Sequence, residues 1–408
     1  MKILHHRFYT FWAALVLLFI SGCISTGSIP PVEDVSVKAV AAAAGIEHSL
    51  VLKNDGTLWI AEWNYYSGRL NINSTIGTNE HNFIQAVDTA GPMNNVVFIA
   101  AGESDSFVIK NDGTLWMAQH NNSSRLKSDN SNKQNIFTQL PVSDVVAVAV
   151  GEEHCLILKA DGTVWSMGEN SSGQLSNGQS GPYAGKKTFV QAKDRNGFIN
   201  NVTAIAAGSS HNVVLKNDGT VWTSGGNYAG QLGNGYSGTN AGQKVFVQAK
   251  DGNGFINNVT AITAGAYHSI VLKNDGTVWA TGLNGNGTLS NGTTTDQKVF
   301  VQSKDEIEFI SNVTAVATKY AHNLALKSDG TVCAAGWNNY GQLGNGQSGS
   351  NALQKVFVQA KNESGFLTDI TAIAVGQYHS IVIKKDGTVW ATIVNDETGL
   401  HVFRKVFE

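Results

Sequence analysis

The sequence predicts an all-β protein, a seven-bladed β-propeller of four-stranded antiparallel blades, from three observations. The first is composition: the 408 residues include 44 Gly and 5 Pro, with 42% hydrophobic and only 14% charged residues. That mixture suits tight turns and half-buried strands, whereas long surface helices would bring more Glu, Lys and Arg. The second is a repeat. Val-Leu-Lys-Asn-Asp-Gly-Thr at 51–57 recurs in close variants whose lysines are Lys53, Lys110, Lys159, Lys216, Lys273, Lys327 and Lys384, spaced 57, 49, 57, 57, 54 and 57 residues apart. One supersecondary unit at this period makes a single array instead of several unrelated domains. The third is the strand-like periodicity inside each unit.

Residues 1–22 come first. Lys2, His5, His6 and Arg7 precede the apolar run Phe11–Ile20, the n-region and h-region of a secretion signal, too short to span a bilayer. Ile20-Ser21-Gly22-Cys23 resembles the lipobox of bacterial lipoproteins, so Cys23 is the expected lipidated first residue of an envelope protein facing away from the cytoplasm. Residues 23–34, with Ser25, Thr26, Gly27, Ser28, Pro30 and Pro31, are the tether, and 35–408 the propeller. Losing Lys2 and Arg7 with the signal leaves 26 basic against 31 acidic residues, a net charge of −5. An acidic chain without a Lys/Arg block lacks the stripe that nucleic-acid phosphates require.

The fourth unit shows the expected blade. Asn201–Gly208 is a first strand of small and β-branched residues and His211–Lys216 a second. Asn217-Asp218-Gly219-Thr220 turns the chain, with Gly219 suited to positive φ and Asp218 able to bond the backbone ahead of it. Val221–Gly225 and Lys244–Gln248 complete the four. A closed ring protects the sheet edges that an open array exposes. The chain starts with a first strand, Val35–Ala44, and stops at a fourth-strand equivalent, His401–Phe407, so a terminal strand is expected to complete a blade begun at the other end.

Ala-Ala-Gly-Ser-Ser-His-Asn-Val-Val-Leu at 206–215, its counterparts at 264–272 and 375–383, and the Gly-Gln-Leu-Gly-Asn-Gly loops at 230–235 and 341–346 resemble the repeat of the regulator-of-chromosome-condensation family. The resemblance covers about 35–408 and implies a seven-bladed propeller. Unit 2 departs with Asp105 in place of His, unit 6 with Lys319 in place of Gly, and units 1, 2 and 7 lack a clean Gly-Gln-Leu loop. The family's nucleotide exchange on chromatin does not suit an acidic exported chain. By compartment, secreted bacterial propellers of this family that inhibit β-lactamases through one face are the nearer functional relatives that the resemblance implies.

His48, His154, His211, His268, His322 and His379 recur at one repeat position. One imidazole per blade cannot converge on a metal, which needs three or four ligands around one point, so each ring is expected to bond backbone groups at its own strand corner. Gly233–Gly238 and Gly344–Gly349 match G-x-G-x-x-G without the following helix that a dinucleotide site needs, and Asp194–Gly197 and Asp251–Gly254 lack the closing Glu of a calcium loop. Cys155 and Cys333 fall in units 3 and 6, nearly opposite on the ring, which excludes a disulfide; Cys333 takes the position of a Trp in other units as an inert apolar filler. No catalytic pattern stands out, so neither enzyme activity nor a cofactor is expected.

Positions fixed by the fold repeat, whereas positions free for binding need not. The two residues before each histidine position differ in every unit and share one rim, where the loops between third and fourth strands also arrive. Glu47, Glu152 and Glu153 make it acidic in units 1 to 3, and Tyr228, Tyr267, Tyr320, Trp337, Tyr340 and Tyr378 make it aromatic in units 4 to 7; Tyr65, Tyr66 and Tyr236 add to the loops. Tyr and Trp on rigid turns are common interface anchors. The expected function is a monomeric, non-enzymatic scaffold of the bacterial envelope, anchored to the membrane by lipid, that recognises a protein or peptide through this rim. Glycan or cell-wall binding is the alternative of the same kind, and a hydrolase or lyase in the central channel the alternative of another class.

Overall fold

In a computed structural model, the structure describes residues 36–46, 48–64, 69–70, 83–119, 136–393 and 398–408. Cys23, Glu47, Tyr65 and Tyr66 lie outside the described residues.

The chain is a seven-bladed propeller of four-stranded antiparallel sheets. In blade 4 the strands are Val202–Ala207, His211–Lys216, Val221–Gly225 and Gln243–Gln248. Each N-D-G-T turn works as its residues demand. Asp218 Oδ1 accepts bonds from the Thr220 N–H and hydroxyl at 3.0 and 2.6 Å, and Gly219 takes φ 78°. Thr220 Oγ1 then accepts the Trp222 indole N–H at 3.1 Å, which lays the ring beneath Lys216 Nζ, 4.3 Å from its centroid. A residue in the left-handed region precedes each of six first strands: Asn95, Asp144, Asn201, Asn258, Asn312 and Asp369. Their φ values lie between 57° and 61°, which explains the recurring Asn or Asp there.

The core lies between blades. At the seam of blades 4 and 5, Val213, Leu215 and Val221 pack against Val259, Val271 and Phe300, all at most 5% exposed. A link after the fourth strand secures each of several seams. Asp194 pairs in parallel register with Phe246 of the next blade, and its carboxylate reaches Lys216 at 3.4 Å; Asp251 and Lys273 repeat the arrangement at 3.3 Å.

Ring closure differs from the expectation. Blade 7 is built wholly from consecutive strands, Ile370–Val375, Ser380–Lys384, Val389–Ala391 and Arg404–Phe407, and Ala39–Ala44 belongs to blade 1's own sheet. No described strand is exchanged between the ends. Side chains close the seam instead: Ala39, Ala44 and Val51 join Ala374, Ile381 and Ile383 in one cluster, and Phe407 stacks on Trp59 and Phe83 with centroids 5.4 and 4.8 Å apart.

Candidate functional site

The rim begins with the corners between first and second strands. In blade 4, Gly208 supplies the corner because a Cβ there would collide with the His211 ring and the Gly265 carbonyl. That ring does not bond its own corner, as expected from sequence, but reaches the next blade. His211 Nε2–H donates to Ser269 Oγ at 3.0 Å, and Ser269 donates to the Gln231 carbonyl at 2.7 Å, back in blade 4's own loop. His154, Asn212 and Gln174 repeat the relay at 2.7 and 2.6 Å, as do His322, Ser380 and Gln342 at 3.1 and 2.7 Å. His268 donates to Asn323 at 2.9 Å, whose amide donates to the Thr288 carbonyl at 2.6 Å, and His379 bonds Ser49 at 3.0 Å across the closing seam. Since Asn Oδ1 and the already-donating hydroxyls of Ser269 and Ser380 can only accept here, the rings of His154, His211, His268 and His322 carry a proton on Nε2. Burial pushes His154 and His268 down to about 4 and His211, His322 and His379 to about 3. His48 is buried at the same position in blade 1. The six rings serve separate blades and do not converge.

The loops between third and fourth strands are as firmly built. Asn227, wholly enclosed, accepts the Leu232 N–H at 3.0 Å and donates to Asn234 Oδ1 and the Tyr236 carbonyl at 3.1 and 2.9 Å. The Gly235 N–H then bonds the Lys298 carbonyl of blade 5 at 2.8 Å. Corners and loops meet: Glu169, Gly226, Leu283 and Trp337 donate backbone bonds to Glu153, Ser210, Tyr267 and Ala321. Both sets therefore occupy one rim.

On it, four of the residues singled out from sequence form a single cluster. Trp337 lies 5.8, 5.3 and 6.0 Å from the centroids of Tyr320, Tyr340 and Tyr378, and Tyr340 lies 5.3 Å from Tyr378. The Trp337–Tyr340 and Tyr340–Tyr378 pairs are edge-to-face, at 88° and 78°. Tyr320 remains 43% exposed at φ 47°, in the two-residue turn that replaces the glycine corner of blade 6. Tyr267 is similarly exposed, while Tyr228 and Tyr236 project from the blade 4 loop well into solvent. Glu152 and Glu153 are half-buried in blade 3. Burial, reinforced by the Glu152 carboxylate, holds the Tyr267 phenol above its usual range.

Two residues at the mouth of the channel were not among those chosen from sequence. Lys319 crosses from blade 6 to donate to the Ala101 carbonyl of blade 2 at 2.8 Å. Desolvation lowers its pKa to about 8, against the opposing pull of Glu103. Corner residues from every blade, Glu103 and Glu152 among them, line the cavity under Lys319, whose volume is about 30 Å³. Lysine in place of the repeated glycine was the available signal; its partner, 218 residues away, was not readable.

The RCC1-like domain profile matches residues 24–364. The chain is 32% identical over 187 residues to the X-linked retinitis pigmentosa GTPase regulator homolog of Caenorhabditis elegans, covering 46% of this chain and 13% of that protein. It is 28% identical over 214 residues to Protein pim1 of Schizosaccharomyces pombe, covering 48% and 38%. The chain thus spans well under half the length of these relatives. Prp20p of Saccharomyces cerevisiae superimposes with a TM-score of 0.68 at 18% identity, over 88% of this chain and 84% of that one.

Proposed function

The chain belongs to the RCC1-like domain family, and we propose that it is a non-enzymatic scaffold of the bacterial cell envelope that recognises a protein or peptide through the rim. The Tyr320–Trp337–Tyr340–Tyr378 cluster carries this reading. Its rings are seated on loops held by buried Asn and His relays, so little side-chain freedom remains to be lost on binding. Edge-to-face packing sets neighbouring rings nearly perpendicular, each edge against the next ring's face. That leaves a compact apolar knob beside an acidic sector, which suits a partner's side chains better than the parallel faces on which sugars stack. Prp20p has binding properties toward Gsp1p and histones; only the use of a propeller as a protein-recognition surface is carried over, because a mature charge of −5 opposes a chromatin role. The Lys319 strut, bonded to the Ala101 carbonyl of blade 2, narrows the channel mouth and so favours the rim over the channel as the working surface.

Export, acylation at Cys23 and a monomeric state complete the proposal, supported by the Phe11–Ile20 run and Ile20-Ser21-Gly22-Cys23. Palmitate label is expected on the wild type and absent from Cys23→Ala; label persisting in that variant removes the anchor. For the rim, envelope extracts are passed over immobilised 24–408 and over its Tyr267→Ala/Trp337→Ala/Tyr378→Ala variant. Loss of a hot-spot ring costs about 2–4 kcal/mol, so partners retained by the wild type should be depleted at least about thirtyfold on the variant. Equal recovery on both would remove the rim as the binding surface.

A further inference from the structure

A second apolar surface lies on the face away from the rim, and we propose that it rests on a phospholipid bilayer. The links after blades 3, 4, 5 and 6 are short hairpins, Lys193–Phe198, Lys250–Phe255, Lys304–Phe309 and Lys361–Phe366. Each runs parallel to the outermost strand of the following blade, pairing with Phe246, Phe300, Phe357 and Phe403, so the hairpins form the outer margin of blades 4 to 7. Asp194, Asp251 and Asp305 in three of them reach the lysines that open the N-D-G-T turns, which fixes this margin on the turn side of the ring.

Each of these four hairpins ends in a phenylalanine standing in solvent. Phe198, Phe255, Phe309 and Phe366 are 57%, 56%, 50% and 58% exposed, and Ile307 at the third tip is 92% exposed. The fold does not require these rings, since the corresponding residue of the hairpin between blades 1 and 2 is Pro92. An ammonium covers each ring: Lys193, Lys250, Lys304 and Lys361 lie 5.3–5.9 Å from the centroids. A ring beside a cation on a long stem matches a headgroup layer, where the ring enters the acyl boundary while the ammonium stays with phosphate. The pairs protrude from a convex margin, which a fluid surface accommodates without a matching cavity. Glu306, Glu308 and Glu363 also stand on these hairpins and repel anionic lipid, so the rings carry the contact.

The path of the chain agrees with this orientation. Ser36 and Lys38 bond Asn54 in the blade 1 N-D-G-T turn, so the segment bearing Cys23 joins the ring on the same face. An anchor there would hold this face inward and the rim outward. The surface contact is nevertheless testable without the anchor, so its failure is distinguishable from failure of the acylation reading or of the rim reading.

The experiment is cosedimentation of non-acylated 24–408, whose ring closes without the preceding segment, with mixed phosphatidylethanolamine and phosphatidylglycerol vesicles. Binding is expected for the wild type and for Trp337→Ala. It should fall at least about tenfold for the Phe198→Ser/Phe255→Ser/Phe309→Ser/Phe366→Ser variant, with unchanged thermal unfolding showing that the variant is folded. No vesicle binding by the wild type, or equal binding by the four-ring variant, overturns the proposal. So does a wild-type dimer that the variant abolishes, because a second copy would then cover the rings.

Discussion

Each ring in the histidine relays donates across a blade seam while its other nitrogen has no proton to give, so adding a proton there strains the seam. In the fold these imidazoles stay neutral until the pH approaches about 3–4, whereas in the unfolded chain they titrate near 6.5. Below 6.5 the unfolded state therefore binds more protons. Stability is intact above that value and is lost as pH falls toward the folded pKa. The melting temperature should be level above about pH 7 and decline progressively below about 6.5; a level profile down to about pH 4.5 would show that these rings are not held neutral. His211→Ala leaves Ser269 without its donor and should cost about 1–3 kcal/mol in denaturant unfolding. Gly208→Ala, which drives a methyl group into the His211 ring and the Gly265 carbonyl, should cost about as much. The repeat position of the histidines was legible in the sequence; their partners were not, being 55–58 residues away for four of them and 330 for His379. The signal that would have found them is the Ser or Asn that follows His48, His211, His268, His322 and His379.

Strands and N-D-G-T turns were legible to within a residue or two in blade 4, because a two-residue period and an Asp-Gly turn are local properties. The hairpins between blades were not. Their arms, Lys193–Asp194 and Gly197–Phe198, are too short to show a period, and their pairing belongs to the next blade. Blade 6 offers a test of the element as a unit. Cys333 there replaces the tryptophan that covers the Lys–Asp pair elsewhere, and the side chains of Lys327 and Asp305 are 24% and 18% exposed against 13% and 8% for Lys216 and Asp194. Thr331 is in place to accept an indole N–H, as Thr220 does. Cys333→Trp should stabilise the protein by about 0.5–1 kcal/mol through restored cation–π cover. A drop in melting temperature would mean that blade 6 has repacked around the smaller side chain.

The count of blades and their assembly into one ring were readable from the repeat alone, whereas the manner of closure was not. Edge protection argued for a shared strand, yet the seam between blades 7 and 1 is held by Phe407 on Trp59 and Phe83 and by the His379–Ser49 bond. Phe407→Ala should cost roughly 1–3 kcal/mol in denaturant unfolding, below the loss for a fully enclosed ring. Truncation after Phe403 should cost more, because it also removes the last strand's pairing with Val389–Ala391.

Because every blade is contiguous in the chain and the last strand ends beside blade 1, no particular blade has to be made first. A gene opened at Pro141–Val142, where blades 2 and 3 are joined without a hairpin, and rejoined by a short link from Glu408 to Ser36 encodes a circular permutant with every sheet intact. The same independence lets whole blades be gained or lost by duplication or deletion of one repeat, so the number seven belongs to how the wedges fill a circle and not to a fastening at its ends.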